Sequence, residues 1–219
     1  MPAFTDVSLL PSLLSTLDEL GFTTPTEIQI GTLGTLLEGG DVVGVAETGS
    51  GKTLAYVLPM LHRLKTLELD GDPVDTHGRP RGLVLVPGRE LGEQVARVFK
   101  TFGHGTRLRV RTVLGGTKQQ LMRQGVAGKF DILVATPGRL TQLLDGRELR
   151  VDDLRMLVID EADQMLDAGF RPVARRILAD CPSAMQRALF SATMPQALDA
   201  VVADLFRNPP LRVRTQGSH

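Results

Sequence analysis

A glycine-rich segment, Ala46 to Thr53, lies between a short apolar run and a helical pattern. Its residues are Ala46, Glu47, Thr48, Gly49, Ser50, Gly51, Lys52 and Thr53. Glycines let the backbone wrap so that successive N–H groups point at phosphate oxygens, and the N-terminus of the following helix adds a favourable dipole. We predict that Lys52 neutralises the β- and γ-phosphates of a nucleotide and that Thr53 places its hydroxyl on Mg²⁺. The alternative is a glycine turn with an incidental Lys-Thr, which the strand–loop–helix context disfavours.

An acidic tetrapeptide, Asp160-Glu161-Ala162-Asp163, directly follows another apolar run, Met156 to Ile159. A carboxylate at the carboxyl end of a strand can reach Mg²⁺ held by Thr53, largely through water because Mg²⁺ keeps its hydration. We therefore predict that Asp160 is a metal ligand and that Glu161 orients and deprotonates the attacking water. Alone, such a tetrapeptide is equally typical of a solvated helix start. Together with the glycine-rich segment from Ala46 to Thr53, which we call the phosphate loop, the tetrapeptide indicates a nucleoside triphosphate hydrolase.

The elements that must position these residues alternate between strands and helices. Short apolar runs, typical of strands buried on both faces of a parallel sheet, are Val42–Val45, Leu83–Val86, Val110–Leu114, Ile132–Val134, Met156–Ile159 and Arg187–Phe190. Helical patterns between them include Lys52–Leu67, Glu90–Phe102 and Pro195–Phe206. This order predicts an α/β fold, a mainly parallel sheet flanked by helices on both faces, with ligands at the carboxyl ends of the strands. The polar stretch from 68 to 81 is predicted to be a flexible surface loop.

Composition sets further limits on the function. The chain has 219 residues, with Lys plus Arg and Asp plus Glu equal at 25 each, so bulk charge does not indicate nucleic-acid binding, although a local basic surface is compatible with it. The single cysteine excludes an internal disulfide or a cysteine-based metal site and fits a reducing compartment. No signal peptide or membrane-spanning segment is indicated, so we expect a cytoplasmic protein without a membrane partner.

The order of these motifs resembles the N-terminal RecA-like domain of the DEAD-box ATP-dependent RNA helicases, and the resemblance covers the chain up to its tail. Residues 160–163 spell Asp-Glu-Ala-Asp, the family name. Phe4 and the segment Gly21 to Gln29 resemble the family's adenine-recognition element. The resemblance implies that Phe4, Thr24 and Gln29 bind the adenine of ATP or ADP. The amide of Gln29 suits the N6 amine and N7 of adenine, and Phe4 could either stack on the ring or fill a gap in the core.

The resemblance also implies that RNA is a partner, bound through its backbone with little sequence preference. The implied RNA-binding residues are Pro87, Gly88, Arg89, Gly115, Gly116, Thr136, Pro137, Gly138 and Arg139. Arg89 and Arg139 could instead be solvated or form structural ion pairs. Two positions depart from the family pattern. Gly88 replaces a threonine whose hydroxyl would donate to a phosphate, and Glu47 replaces the commoner glutamine and is expected to point away from the triphosphate.

Asp163 and the tripeptide Ser191-Ala192-Thr193 resemble the elements that couple hydrolysis to unwinding. The family's second RecA-like domain, which carries an arginine finger, has no counterpart after Thr193. Because such a finger contributes about 10³-fold or more to turnover, we expect this chain alone to bind adenine nucleotide with little or no hydrolysis or unwinding. We divide the chain into a helical N-terminal element (1–38), the RecA-like P-loop NTPase domain (39–214) and a tail left from expression (215–219).

Three other classes of protein compete with this interpretation. A DNA helicase or remodelling ATPase would share the phosphate loop and the acidic pair, but Gln29 with Phe4 upstream, together with Ala162-Asp163, argues against it. A non-catalytic, nucleotide-switched binding module is disfavoured for the parent protein because Lys52, Asp160 and Glu161 are all present, but it stays open for the isolated domain. A small-molecule P-loop kinase would need a substrate lid and a cluster of phosphate-sensing arginines, and the sequence indicates neither.

Overall fold

The computed structural model describes residues 3–166 and 169–215, and its centre is a parallel β-sheet. The strands of the described chain are β1 Val42–Val45, β2 Gly82–Leu85, β3 Val110–Val113, β4 Ile132–Ala135, β5 Met156–Ile159, β6 Gln186–Ser191 and β7 Leu211–Arg214. Their order across the sheet is β3-β4-β2-β5-β6-β1-β7, and the pairing of all neighbours is parallel. The phosphate loop after β1 and the acidic residues after β5 are therefore separated by one strand, β6, at the same edge.

Helices cover both faces of the sheet. They are α1 Pro11–Glu19, α2 Glu27–Leu37, α3 Lys52–Leu69, α4 Arg89–Gly103, α5 Gln119–Val126, α6 Pro137–Asp145, α7 Ala162–Met165, α8 Phe170–Ala179 and α9 Gln196–Leu205. None of the helices in the described residues is long and apolar enough to cross a membrane.

In the strands inside the sheet, successive residues enter two separate hydrophobic cores, because successive side chains of a strand point to opposite faces. Val42 packs in the core beneath α1 to α4, whereas Val43 packs in the core beneath α5 to α9. This arrangement explains why the sequence shows continuous apolar runs instead of alternation. The prediction of a mainly parallel sheet with helices on both faces is confirmed.

The predicted strands all occur, with ends that shift by at most one residue, but β7 was not predicted. Leu211 and Arg212 are exposed, and in the described part of the chain β7 pairs only with β1, at the edge of the sheet. An edge strand with alternating charged residues gives no buried apolar run to detect.

The predicted helical N-terminal element contains two helices, α1 and α2, which lie on either side of Gly21. Leu13, Leu17 and Ile28 are almost fully buried and share their core with the sheet residue Val42. The N-terminal element therefore packs as part of the same core as the sheet, and α2 reaches the phosphate loop.

The polar stretch predicted to be a flexible loop lies on the surface but is anchored. Arg81, only 6% exposed, contacts Asp72 Oδ1 through Nη2 at 2.6 Å and Asp153 Oδ2 through Nε at 3.0 Å. The backbone N–H of Gly78 also donates to the carbonyl of Gly128. Arg81 and Gly78 thus tie the end of the loop to the sheet domain, and Asp72 is held to Arg81 within the loop. The sequence pattern could not reveal the anchoring because Asp153 and Gly128 are distant in the chain.

Candidate nucleotide-binding and catalytic site

The phosphate loop connects the carboxyl end of β1 to the N-terminus of α3 in a backbone conformation that requires glycine. Gly49 and Gly51 have φ angles of +85° and +95°, in the left-handed region that L side chains rarely adopt. A Cβ on Gly51 would also lie 2.5 Å from Gln29 Nε2 and 2.8 Å from Thr26 Oγ1. Gly51 is therefore fixed both by its backbone angle and by the close approach of α2.

Lys52 lies inside the curve of the loop and is 5% exposed. Its Nζ donates to the carbonyl of Ala46 at 2.6 Å and lies 3.3 Å from Glu161 Oε1. The side chain of Glu47 is exposed, and the expectation that it points away from the triphosphate stays a prediction. A phosphate in this loop would take over contacts that Lys52 now makes within the protein, because a buried ammonium needs an oxygen partner.

Asp160 follows β5 and accepts two hydrogen bonds. The Tyr56 hydroxyl donates to its Oδ2 at 2.7 Å, and the backbone N–H of Glu161 donates to its Oδ1 at 2.9 Å. Burial raises the pKa of Asp160 to about 6, although the hydrogen bond from Tyr56 acts in the opposite direction. This carboxyl is therefore held in one orientation in a dry site, where removing a proton is costly unless a cation is near.

Glu161 has a φ of +49°, a left-handed conformation that is uncommon for any residue except glycine. It is 7% exposed, and its Oε2 accepts no hydrogen bond from the described residues. Backbone strain of about 1–3 kcal/mol persists only where surrounding structure enforces it, and it clusters at functional sites. The strain directs a buried carboxylate with one free acceptor toward the phosphate loop, as a group that orients a water molecule requires.

The oxygen donors at this position suit Mg²⁺. Residues 3–166 and 169–215 contain no group of three or more His, Cys, Asp or Glu side chains arranged to hold a metal ion. Mg²⁺ bound with a nucleotide needs only one or two protein oxygens, since water and phosphate supply the others. The Tyr56 hydroxyl donates to Asp160 at 2.7 Å, and Thr53 precedes Tyr56 by three residues on the same side of α3. The predicted pair of ligands therefore fits a nucleotide-bound Mg²⁺.

Tyr56 is the residue of this site that the sequence interpretation missed. It is the only tyrosine of the chain and lies one helical turn after Lys52 and Thr53. Residues three and four apart share one side of a helix. A hydroxyl on an otherwise apolar face of α3 was the available signal, but its partner, Asp160, is 104 residues away.

Gln29 is held between α2 and the phosphate loop. Its Oε1 accepts from the backbone N–H of Thr26 at 2.9 Å, and its Nε2 donates to the carbonyl of Gly51 at 3.0 Å. The first contact belongs to a capping box, which the Thr26-x-x-Gln29 spacing could have predicted. The amide retains one N–H and one lone pair beyond these contacts, so the prediction that it reads adenine stays open.

Phe4 lies in the core, 3% exposed, whereas Thr24 is exposed. The backbone N–H of Phe4 donates to the carbonyl of Thr23 at 3.4 Å, and this hydrogen bond holds Phe4 beside the segment from Gly21 to Gln29. This arrangement matches the alternative in which Phe4 fills a gap in the core. Stacking on adenine would require the segment to move, and it stays a prediction.

Asp163 and the Ser191–Thr193 segment contact each other directly. Asp163 Oδ2 accepts from both the backbone N–H and the hydroxyl of Thr193, at 2.9 and 2.7 Å, and its own N–H donates to Ser191 Oγ at 3.1 Å. Burial acts to raise the pKa of Asp163, but hydrogen bonds from Thr193 and Ser191 outweigh it and lower that pKa below its usual value. Asp163, Ser191 and Thr193 thus form one hydrogen-bonded unit that joins the end of β5 to the end of β6, and Ala192 lies in the bend between Ser191 and Thr193.

The residues predicted to bind RNA follow β2, β3 and β4, which are adjacent in the sheet. They are Pro87, Gly88 and Arg89, then Gly115 and Gly116, then Thr136, Pro137, Gly138 and Arg139. A Cβ on Gly116 would lie 3.4 Å from Arg89 Nη1, so the first two loops meet. Arg89 Nε lies 2.8 Å from Glu93 Oε1, and Arg139 Nη1 donates to Gln142 Oε1 at 2.8 Å. Both arginines therefore have surface partners that a phosphate could replace.

The parallel sheet, with a glycine-rich phosphate loop after β1 and an acidic pair after β5, defines a RecA-like P-loop domain. The family model described as DEAD/DEAH box helicase matches residues 26–201, and the chain belongs to this family.

The chain is similar to proteins named as RNA helicases. It is 38% identical over 207 residues to the ATP-dependent RNA helicase DeaD of Mycobacterium tuberculosis (strain ATCC 25618 / H37Rv), covering 94% of this chain and 35% of that protein. It is 36% identical over 208 residues to the RNA helicase CrhR of Synechocystis sp., covering 95% of this chain and 40% of that protein. A crystal structure of a hypothetical ATP-dependent RNA helicase from Sulfolobus tokodaii matches 93% of this chain and 56% of that one, with 35% identity and a TM-score of 0.80. The chain thus spans well under half the length of these two curated relatives.

Proposed function

We propose that this chain is the ATP-binding domain of an ATP-dependent RNA helicase that couples ATP binding and hydrolysis to local unwinding of RNA duplexes. The observation that carries the proposal is the contact between Lys52 Nζ and Glu161 Oε1, which are 3.3 Å apart, next in the chain to the buried Asp160. A cation that binds phosphate, a carboxylate that reaches a metal and a carboxylate that orients water are the groups that phosphoryl transfer to water requires. Membership of the helicase family supports this assignment.

In the proposed site, the nucleotide binds with its phosphates in the loop from Ala46 to Thr53. Backbone N–H groups of the loop and the N-terminus of α3 bind the phosphate oxygens, and Lys52 neutralises the β- and γ-phosphates. Gln29 reads the adenine base with the donor and acceptor that its contacts to Thr26 and Gly51 leave available. The free donor and acceptor together match adenine better than guanine, so ATP is preferred over GTP.

Hydrolysis requires that a water molecule be oriented and deprotonated. When bound, Mg²⁺ would neutralise charge on the phosphates, held by Thr53 and Asp160 largely through water. Glu161 accepts the proton of the attacking water at its free Oε2, while Oε1 stays near Lys52. The left-handed backbone of Glu161 keeps this carboxylate inside the site.

RNA lies across the adjacent loops that follow β2, β3 and β4, bound through its phosphates and 2′-hydroxyls. Arg89 and Arg139 exchange their surface partners for phosphate oxygens. Gly88 offers its backbone N–H but no hydroxyl, so this loop contributes less RNA affinity than a threonine there would. Because such contacts do not read base edges, little sequence preference is expected.

Unwinding needs a second RecA-like domain, which supplies an arginine finger and completes the RNA site. Closure onto that domain would act through the unit of Asp163, Ser191 and Thr193, which joins the nucleotide site to the neighbouring strand end. The chain by itself therefore binds adenine nucleotide with little or no hydrolysis or unwinding, since an arginine finger contributes about 10³-fold or more. For the parent protein we propose a cytoplasmic location.

The proposal is tested by joining this chain to a second RecA-like domain and measuring ATP hydrolysis with and without nucleic acid. We expect hydrolysis that single-stranded RNA stimulates more than DNA of the same sequence, because the 2′-hydroxyl discriminates between them. Lys52→Ala should abolish the stimulated rate. Equal stimulation by DNA would contradict the assignment to RNA and favour a DNA helicase or remodelling ATPase.

A further inference from the structure

The ring of Tyr56 is fixed in the centre of the core beneath α3 and α4. It is fully buried, and its centroid lies 6.4 Å from that of Phe99 and 5.5 Å from that of Phe190. Aromatic contacts on two sides leave the ring little freedom to rotate. The direction of the hydroxyl is therefore set by packing.

The Tyr56 hydroxyl donates to Asp160 Oδ2 at 2.7 Å, while the other oxygen of the same carboxyl accepts the backbone N–H of Glu161 at 2.9 Å. The two donors come from different parts of the fold, α3 and the turn after β5. Together they fix both the position of Asp160 and the plane of its carboxyl group.

A purely structural role would not require this hydroxyl. A phenylalanine would fill the same space between Phe99 and Phe190, and the packing would be nearly unchanged. A buried hydroxyl costs free energy unless it is hydrogen-bonded. Its partner is the carboxyl that the proposed function assigns to Mg²⁺, and the other proposed metal ligand, Thr53, lies three residues before Tyr56 on the same side of α3. A hydroxyl that bonds a metal-binding carboxyl from within the core has the place of an outer-shell partner, and such partners orient the ligating group.

We propose that Tyr56 is a positioning residue that orients the Asp160 carboxylate for the nucleotide-bound Mg²⁺. The inference rests on the proposed function, since it needs Asp160 to act on the metal. Tyr56 does not contact nucleotide; it acts through Asp160.

The test is the effect of Tyr56→Phe on the coupling between Mg²⁺ and ADP, measured by calorimetry on this chain. ADP is titrated in saturating Mg²⁺ and in EDTA, and the ratio of the two affinities gives the coupling. We expect Tyr56→Phe to reduce that ratio by about tenfold, the lower end of the effect of removing an outer-shell partner, and to leave ADP affinity in EDTA unchanged. Thr32→Val is the matched control, because it removes a buried hydroxyl that bonds only within α2, and it should leave the ratio unchanged.

Two results would overturn the role of Tyr56: an unchanged ratio, or an equal loss of ADP affinity with and without Mg²⁺, which would mean that Tyr56 supports the phosphate loop and not the metal ligand. A wild-type chain that binds no ADP, or binds it equally with and without Mg²⁺, would instead overturn the nucleotide or metal assignment of the proposed function. The failures of the two proposals are therefore distinguishable.

A measurement on the unsubstituted tyrosine covers the case in which Tyr56→Phe does not fold. The chain has one tyrosine and no tryptophan, so its intrinsic fluorescence reports on Tyr56 alone. We expect Mg²⁺ to change the tyrosine fluorescence of the ADP-bound wild type, because the metal alters the charge felt by the carboxylate that Tyr56 bonds. Asp160→Asn should remove this change. A signal that does not respond to Mg²⁺ in the wild type would contradict the proposal.

Discussion

Gln29 Nε2 donates to the carbonyl of Gly51 at 3.0 Å, and this hydrogen bond joins the N-terminal element to the phosphate loop. The residue proposed to recognise adenine and the loop proposed to bind phosphate are therefore joined directly by one hydrogen bond. Base recognition and loop conformation should consequently change together when this contact is altered.

Gln29→Ala removes the contact to Gly51 and half of the capping box at Thr26. We expect the free energy of unfolding to fall by about 1–3 kcal/mol, the sum of two ordinary hydrogen bonds, and ADP affinity to fall as well. Urea denaturation and ADP titration measure the two effects. Gln120→Ala, in the exposed face of α5, is the control and should change neither. If Gln29→Ala lowered ADP affinity without lowering stability, the link between Gln29 and the loop would be unimportant in solution.

Gly51→Ala should abolish nucleotide binding, because a Cβ at this position combines a left-handed backbone with a 2.5 Å approach to Gln29 Nε2. Gly125→Ala is the matched control: it lies in α5 with no atom within 4 Å of the added Cβ. That substitution should stabilise the chain by about 0.5–1 kcal/mol, since alanine is the better helix former. Thermal denaturation and ADP titration of both variants check the pair. Undiminished ADP binding by Gly51→Ala would contradict the loop geometry.

Burial of Asp160 predicts a pH dependence of stability with a defined sign. Its pKa is raised from the ordinary 3.8 to about 6, so between these values the folded chain holds a proton that the unfolded chain has lost. The free energy of unfolding should therefore fall as pH rises through about 4 to 6 and be lower by about 2–3 kcal/mol above that range. Asp160→Asn should remove this fall and stabilise the nucleotide-free chain at pH 7.

Urea denaturation across this pH range measures the effect. Asp163→Asn provides a control of opposite sign. The pKa of Asp163 is lowered, so its stabilising contribution is present above the unfolded-state pKa and is lost as pH falls. Asp163→Asn should thus be destabilising at neutral pH. A stability difference between Asp160→Asn and the wild type that did not grow from pH 4 to 7 would contradict the burial of this carboxyl.

Cys181 should react slowly with alkylating agents in the folded chain. Burial raises the pKa of its thiol to about 12, and its Sγ lies 3.2 Å from the carbonyl of Ile177, to which it donates. Only the thiolate is nucleophilic, and little of it exists at pH 8. Iodoacetamide labelling followed by mass spectrometry should be slow in buffer and fast in urea, and because the chain has one cysteine the signal is unambiguous. Equally fast labelling in both conditions would contradict the packing around the C-terminus of α8.

The sequence was informative where local pattern and tertiary structure agree. The apolar runs at β1 and β5 predicted those strands with their observed ends because both faces of each are buried. The phosphate loop and acidic tetrapeptide could be placed together because parallel strands end at one edge of a sheet. β7 escaped prediction because an exposed edge strand needs no apolar run.

Contacts within the site were less predictable, since they depend on side chains distant in sequence. Nothing local to Tyr56 indicates Asp160 as its partner, and nothing local to Gln29 indicates Gly51. The left-handed conformation of Glu161 is imposed by its surroundings, because residue type alone disfavours it. Burial of Phe4 likewise reflects packing of the N-terminal segment against the core.

Calorimetric titration with ADP and GDP in the presence of Mg²⁺ tests most directly whether this chain is the adenine-nucleotide-binding helicase domain that we propose. We predict that ADP binds and that GDP does not, and that Lys52→Ala weakens or abolishes the ADP signal. Equal binding of ADP and GDP would contradict base recognition by Gln29, and no binding of either nucleotide would contradict the assignment of the phosphate loop itself.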